Sequence, residues 1–280
     1  MSVATTLLVV LSALVHASWN AVLRRDPAPR DAVGPISVVA ALVAFAWAAL
    51  RGRLGEHTAL GWGVVAGAFE AGYFFALGRA LASGRLGPVY TIARGGAVVL
   101  VWPISALVFD ERLSAIAGGG AVVVLVGLAL SAGRDPPSST SGAPPRVANG
   151  TGWAIVTALF IAGYHLAYTR ALRVGGDASV LAGVSLGLAG IVHYARVRVA
   201  RGAFPAPTAG RLGAGLLAGA GFVMFLSALS RGGAGAVLTL RNVSVLFALG
   251  LGRFGGERPR AVQWLGAALV AAGAAAVSLG

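Results

Sequence analysis

The sequence predicts an all-α polytopic membrane protein, with ten transmembrane helices arranged as two inverted five-helix repeats. Three observations predict it. The chain is 57% hydrophobic and only 11% charged, with a mean hydropathy of +0.82. Soluble domains are nearer a quarter charged, and disordered chains are poor in apolar residues. The apolar residues fall in continuous runs close to the 20 or so that a helix needs to cross hydrocarbon, not in the alternating strands of a β-barrel. The second half of the chain also repeats the first at a nearly constant offset.

The predicted spans cover 3–23, 32–50, 60–81, 88–108 and 114–133, then 152–172, 179–195, 211–230, 236–252 and 261–279. The run over 3–23 lacks a basic leading region and a small-residue cleavage site, so it reads as the first span and not as a removed signal. Between the two sets stands RDPPSSTSGAPPRVAN, residues 134–149, whose prolines, serines and glycine neither span nor pack. The expected organisation is a first repeat over 1–133, a linker over 134–150 and a second repeat over 151–280.

An offset of 149 pairs His16 with His165, Trp19 with Tyr168, Leu23 with Leu172 and Arg24 with Arg173. An offset of 147 pairs Arg94 with Arg241 and Val98 with Val245. An offset of 146 pairs Glu111 and Arg112 with Glu257 and Arg258, and Gly120 and Gly127 with Gly266 and Gly273. Matches in consistent order at one spacing indicate duplication. Five spans per repeat is an odd number, so the two halves enter the membrane from opposite sides, as in many secondary transporters.

All 22 basic residues are arginine, against 9 acidic ones, for a net charge of +13. In a soluble protein this would suggest nucleic acid. Here the arginines mostly flank apolar runs, which is membrane anchoring, and no nucleic-acid partner is expected. Loops after odd-numbered spans hold 12 arginines and loops after even-numbered spans hold 5, so the charge rule favours termini outside. The absence of cysteine excludes disulfides and thiolate metal sites. There is no HExxH, no pair of aspartates within a span and no phosphate-cradling loop, so neither catalytic residues, nor a metal, nor a cofactor is expected. A channel is usually built from symmetry-related chains; duplication within one chain points to a transporter.

Ionisable groups at membrane depth are costly and need a partner or a task. Glu70, near the middle of the third span, pairs with Arg94, serves as a proton-coupling site or faces water. Arg94 and Arg241 hold equivalent places in the fourth and ninth spans. Each either bonds helix carbonyls or offers its planar fork to an anionic group of a substrate. Asn242 leaves Arg241 with no adjacent carboxylate to compete with such an anion. His16, Trp19 and Asn20 share one face of the first span, and Tyr164, His165 and Tyr168 share one face of the sixth. With Tyr90 of the fourth span they are candidates to line a substrate cavity; the alternatives are an interfacial belt for Trp19 and interhelical hydrogen bonds for the histidines. His193, near a span end, is expected to reach the headgroups. Pro103 is expected to kink the fourth span as a gating point. The glycines at 120, 127, 266 and 273 are expected to permit tight helix contacts.

With HASWNAVLRR at 16–25, GPVYTIARGGAVVLVWPISALVFDERLS at 87–114 and LTLRNVSVLFALGLGRFGGER at 238–258 in view, the chain resembles the EamA-type branch of the drug/metabolite transporter superfamily. The resemblance runs over nearly the whole chain as two tandem repeats. It implies a multi-pass carrier of the bacterial plasma (inner) membrane with termini inside. Such a carrier takes a small-molecule substrate within the lipid bilayer, coupled to an ion gradient such as protons or running as an exchanger, as a monomer or homodimer. The expected function is secondary transport of a small metabolite, anionic if the two arginines clamp it. The alternatives are a multidrug-like or lipid-linked substrate exporter, and a non-transporting structural subunit.

Overall fold

The computed structural model describes residues 1–55, 57–83, 86–112, 114–131, 147–254 and 259–279, apart from the side chains at 24, 81–83, 86–88, 90, 91 and 147–149. Most of the expected linker, together with Glu257 and Arg258, lies outside the described residues. The helices are α1 (Val3–Arg24), α2 (Pro29–Leu50), α3 (Leu60–Ser83), α4 (Leu86–Phe109), α5 (Ala115–Ser131), α6 (Val147–Arg173), α7 (Ala178–Arg201), α8 (Ala209–Leu229), α9 (Ala234–Arg241), α10 (Ser244–Phe254) and α11 (Ala261–Leu279). Among the described residues, nine segments are long and apolar enough to cross a membrane, with α9 and α10 counted together, and α5 is a shorter apolar helix. The all-helical, roughly ten-span expectation holds.

Two spans differ from expectation. The seventh starts at Ala178, where Asp177 caps it by accepting the Ser179 and Val180 N–H groups at 2.8 and 3.2 Å, and runs to Arg201 and not to 195. Gly202, at φ 70°, ends it. The ninth is broken. Asn242 N–H donates to the Thr239 carbonyl and Val243 N–H to the Leu240 carbonyl, both at 3.1 Å, a tighter i→i−3 turn between α9 and α10. Such a turn inside a span frees the backbone where a site is built. Pro103, by contrast, lies inside an α4 that continues to Phe109.

The packing repeats itself under exchange of the two halves. Helix α1 packs on α8 as α6 packs on α3; α2 packs on α8 as α7 packs on α3; α1 meets α9 and α10 as α6 meets α4. The self-paired helices fix the sense of that symmetry. A Cβ on Gly120 would lie 2.6 Å from the Gly273 carbonyl, and one on Gly127 would lie 2.6 Å from the Gly266 carbonyl. Residue numbers rise along α5 as they fall along α11, so these equivalent helices run antiparallel in backbone contact. The same holds for α2 and α7, where Gly34 meets Tyr194, Val38 meets Gly190 and Phe45 meets Gly183. Equivalent helices that run antiparallel are related by an axis across the helices, which is the inverted arrangement.

Met1 N lies 3.2 Å from the Ser278 carbonyl, so both ends of the chain share one face, here the terminal face. The ends of the α2–α7 pair carry matching ion pairs. On the terminal face Arg51 and Arg53 approach Asp177 at 3.2 and 4.0 Å. On the distal face Arg201 reaches Asp31 at 2.9 Å. Asp31 and Asp177 are 146 apart and Arg53 and Arg201 are 148 apart, the spacing of the duplication. Also on the distal face, Arg211 holds Asp26 through Nε and Nη2 at 2.7 and 2.9 Å. On the terminal face Glu111 accepts the Ala234 N–H at 2.7 Å at the start of α9 and approaches Arg173 at 3.5 Å.

Hydrogen bonds from Arg211 hold the Asp26 carboxyl below its ordinary range. A carboxyl lowered on folding adds stability above its unfolded value and loses it as pH falls through the folded one. Asp26→Asn should therefore lower the melting temperature at neutral pH and shrink the acid-induced drop, measured by thermal unfolding in detergent. The glycine contacts give a larger effect. Gly127→Leu should cost about 2 kcal/mol or more by forcing α5 from α11, whereas Gly119→Leu, with nothing within 4 Å of its Cβ, should leave the melting temperature unchanged.

Candidate functional site

The inner ends of α1, α4, α6, α8 and the broken ninth span meet around one buried polar cluster. At its centre is His16, 8% exposed, with a guanidinium on each ring nitrogen. Arg94 Nη2 lies 2.8 Å from Nε2, and Arg241 Nη2 lies 3.4 Å from Nδ1. A neutral imidazole offers one lone pair and a protonated one offers none. At least one of these contacts therefore sets N–H against N–H. Arg241 is 2% exposed, and its Nε has no hydrogen-bond partner. Its charge is met by aromatic faces, with the Phe225 centroid at 4.0 Å and the Phe222 centroid at 5.4 Å.

The remaining predicted residues gather close by. Trp19, 6% exposed, stands edge-on to His16 at 5.3 Å, so it is part of the buried interior and not an interfacial belt. Asn20 donates to the His16 carbonyl at 2.7 Å within its own helix. Tyr164 stacks on His165 at 4.8 Å and meets Tyr168 at 6.1 Å. The neighbours of the His165 ring are Tyr164 and Phe225, and its Nδ1 has no hydrogen-bond partner. Asn242 is fully buried at the break of the ninth span, with Nδ2 donating to the Leu238 carbonyl at 3.3 Å and Oδ1 unpartnered. The Tyr90 side chain lies outside the described residues.

Glu70 does not pair with Arg94. Its Oε1 accepts from the Tyr168 hydroxyl at 2.8 Å, Ser185 shares that hydroxyl, and Oε2 has no hydrogen-bond partner. The reason is topological: α3 packs on α6 and α7, while α4 packs on α6 and α9. Similar depth in consecutive helices does not bring the two side chains together. His193 also departs from expectation. It is 2% exposed and edge-on to Phe74 at 5.6 Å, because α7 continues well past it. Residues not singled out from the sequence are Ser185, Phe222 and Phe225. The two phenylalanines, one turn apart on an Ala/Gly-rich helix, were the readable signal.

Four buried polar atoms of the cluster are therefore left without partners: Glu70 Oε2, His165 Nδ1, Arg241 Nε and Asn242 Oδ1. Buried polar groups are ordinarily satisfied. An unsatisfied set at one depth, beside two guanidinium groups, has the chemistry of a binding site for a polar solute.

No curated protein matches the chain. A crystal structure of another protein, 22% identical, superposes with a TM-score of 0.77 over 100% of this chain and 98% of that one, a shared fold. Residues 148–279 match the EamA-like transporter family. That match runs from α6 to α11, so the second half of the chain is similar to the EamA-like transporter family, a family of the drug/metabolite transporter superfamily.

Proposed function

We propose that this protein is a secondary transporter that moves a small anionic metabolite across a bacterial plasma membrane by alternating access. The observation that supports the reading best is His16 held between Arg94 and Arg241. Two guanidinium groups share one imidazole that cannot accept from both, and Arg241 keeps an unused Nε donor. A carboxylate or phosphate, with several lone pairs, would satisfy both forks at once. The arginines come from equivalent spans of inverted halves, so the anion passes from one to the other as the halves exchange roles. Ion pairs at both ends of the α2–α7 pair supply the matching closures, one releasing while the other holds. Each joins an exposed arginine to a largely buried carboxylate at the surface of the bundle, so the arginine can swing away while the carboxylate stays in place.

Glu70 is the coupling residue in this reading. It has one oxygen tied to Tyr168 and one open, so it can take or give a proton without breaking its anchor. The coupled ion is a proton.

Flux into proteoliposomes tests the arginine clamp. Arg94→Lys or Arg241→Lys keeps the charge but loses the fork, and should lower anion transport about tenfold. Arg94→Gln with Arg241→Gln should end it while the helical content and elution profile stay normal; undiminished anion flux in that variant contradicts the clamp. Glu70→Gln should abolish accumulation driven by a pH gradient yet leave substrate exchange intact. Accumulation that persists in Glu70→Gln contradicts proton coupling through this residue.

A further inference from the structure

Besides the buried cluster, the terminal face holds a cleft of about 890 Å³ between α1, α2, α6, α7 and α8, large enough for a drug-sized molecule. None of the cluster residues lines it. Its walls are apolar: Val43, Trp47, Leu172, Val223 and Met224. Trp47 is 48% exposed, and Met224 is an adaptable thioether suited to varied apolar shapes. Its rim is charged, with Arg51, Arg53 and Arg231 against a single carboxylate, Asp177.

A second cleft of about 450 Å³ adjoins it and shares Leu172, Ser230 and Arg231. This one is polar, with Arg112 and Arg173 against Glu111. The two clefts together present five arginines and two carboxylates. Their boundary, at Arg231, is where an apolar wall and a positive wall meet. On α8 the wall residues Val223 and Met224 lie on the face opposite Phe222 and Phe225, the rings that cover Arg241.

We infer that this cleft is a second, outer binding site for soluble organic anions with an apolar body. The body lies against Trp47 and Met224, and the acidic group sits at Arg231. The inference rests on the anion-carrier reading and adds that the substrate has an apolar part, because a purely polar anion would gain nothing from these walls. The outer site would hold the substrate at the terminal face, and the excess of arginine there would raise its local concentration.

The test uses the full chain in nanodiscs of zwitterionic lipid, with 4-nitrobenzoate as an anionic quencher of indole fluorescence. The Trp47 signal is taken as the difference between the native chain and Trp47→Phe. Saturable quenching of Trp47 is expected, weakened about tenfold by Arg231→Glu, and much weaker with 4-nitrobenzylammonium. Quenching should persist in the Arg94→Gln/Arg241→Gln variant, which separates this site from the inner one. Four results overturn the outer site: no saturable quenching of Trp47, equal quenching by the cation, loss of quenching in the double glutamine variant, or its abolition by phosphatidylglycerol in the disc, which would assign the cleft to lipid. Failure of the anion-carrier reading would show instead as unchanged anion flux in the double glutamine variant, whatever Trp47 reports.

Discussion

Two guanidinium groups set against one imidazole are the constraint around which this membrane protein is organised. Burying an arginine costs several kcal/mol, and burying two beside each other costs more unless counter-charge or lone pairs are supplied. The fold supplies them incompletely. His16 offers at most one lone pair, Phe222 and Phe225 offer ring faces, and Glu70 is anchored to Tyr168. A site left short of acceptors is disposed to bind a molecule that brings them.

The scaffold can bear this cost because the rest of the bundle packs closely and twice over. Alanine and glycine line the self-paired helices, so α5 meets α11 and α2 meets α7 at backbone distance, where dispersion and close fit replace the hydrophobic drive that lipid does not supply. The same pairing makes the two faces equivalent in kind. Asp177 with Arg51 and Arg53, and Asp31 with Arg201, sit at opposite ends of one helix pair. The break at Asn242 and Val243 is where the halves cease to match: its counterpart in α4, just after Arg94, stays helical. The ninth span thus brings Arg241 to the cluster beside a break, and the fourth brings Arg94 within a continuous helix.

Much of this was legible in the chain. Continuous apolar runs specified the helices, and the glycines at 120, 127, 266 and 273 indicated tight helix contacts, though not that α5 and α11 meet each other. The approach of Arg94 and Arg241 followed from their equivalent positions. Pairings between helices distant in the sequence were not legible. Glu70 was matched with Arg94 by depth in adjacent spans, but α3 and α4 hardly touch, and the partner comes from Tyr168 on α6. The apolar run stops at 195, which puts His193 near a membrane surface, but the helix continues to Arg201 and the side chain is buried. The turn at Asn242 has no glycine or proline to announce it. That His16 stands between the arginines depends on side-chain directions across three helices, which no pattern along one helix encodes.

The most direct test is a thermal-shift titration of the purified protein with matched anionic, zwitterionic and cationic metabolites. If Arg241 Nε is open to an acceptor, ligands with a carboxylate or phosphate should raise the melting temperature with a saturable dose dependence, and cations should not. Stabilisation by cations alone, retained when Arg94 and Arg241 are both glutamine, would contradict the central claim.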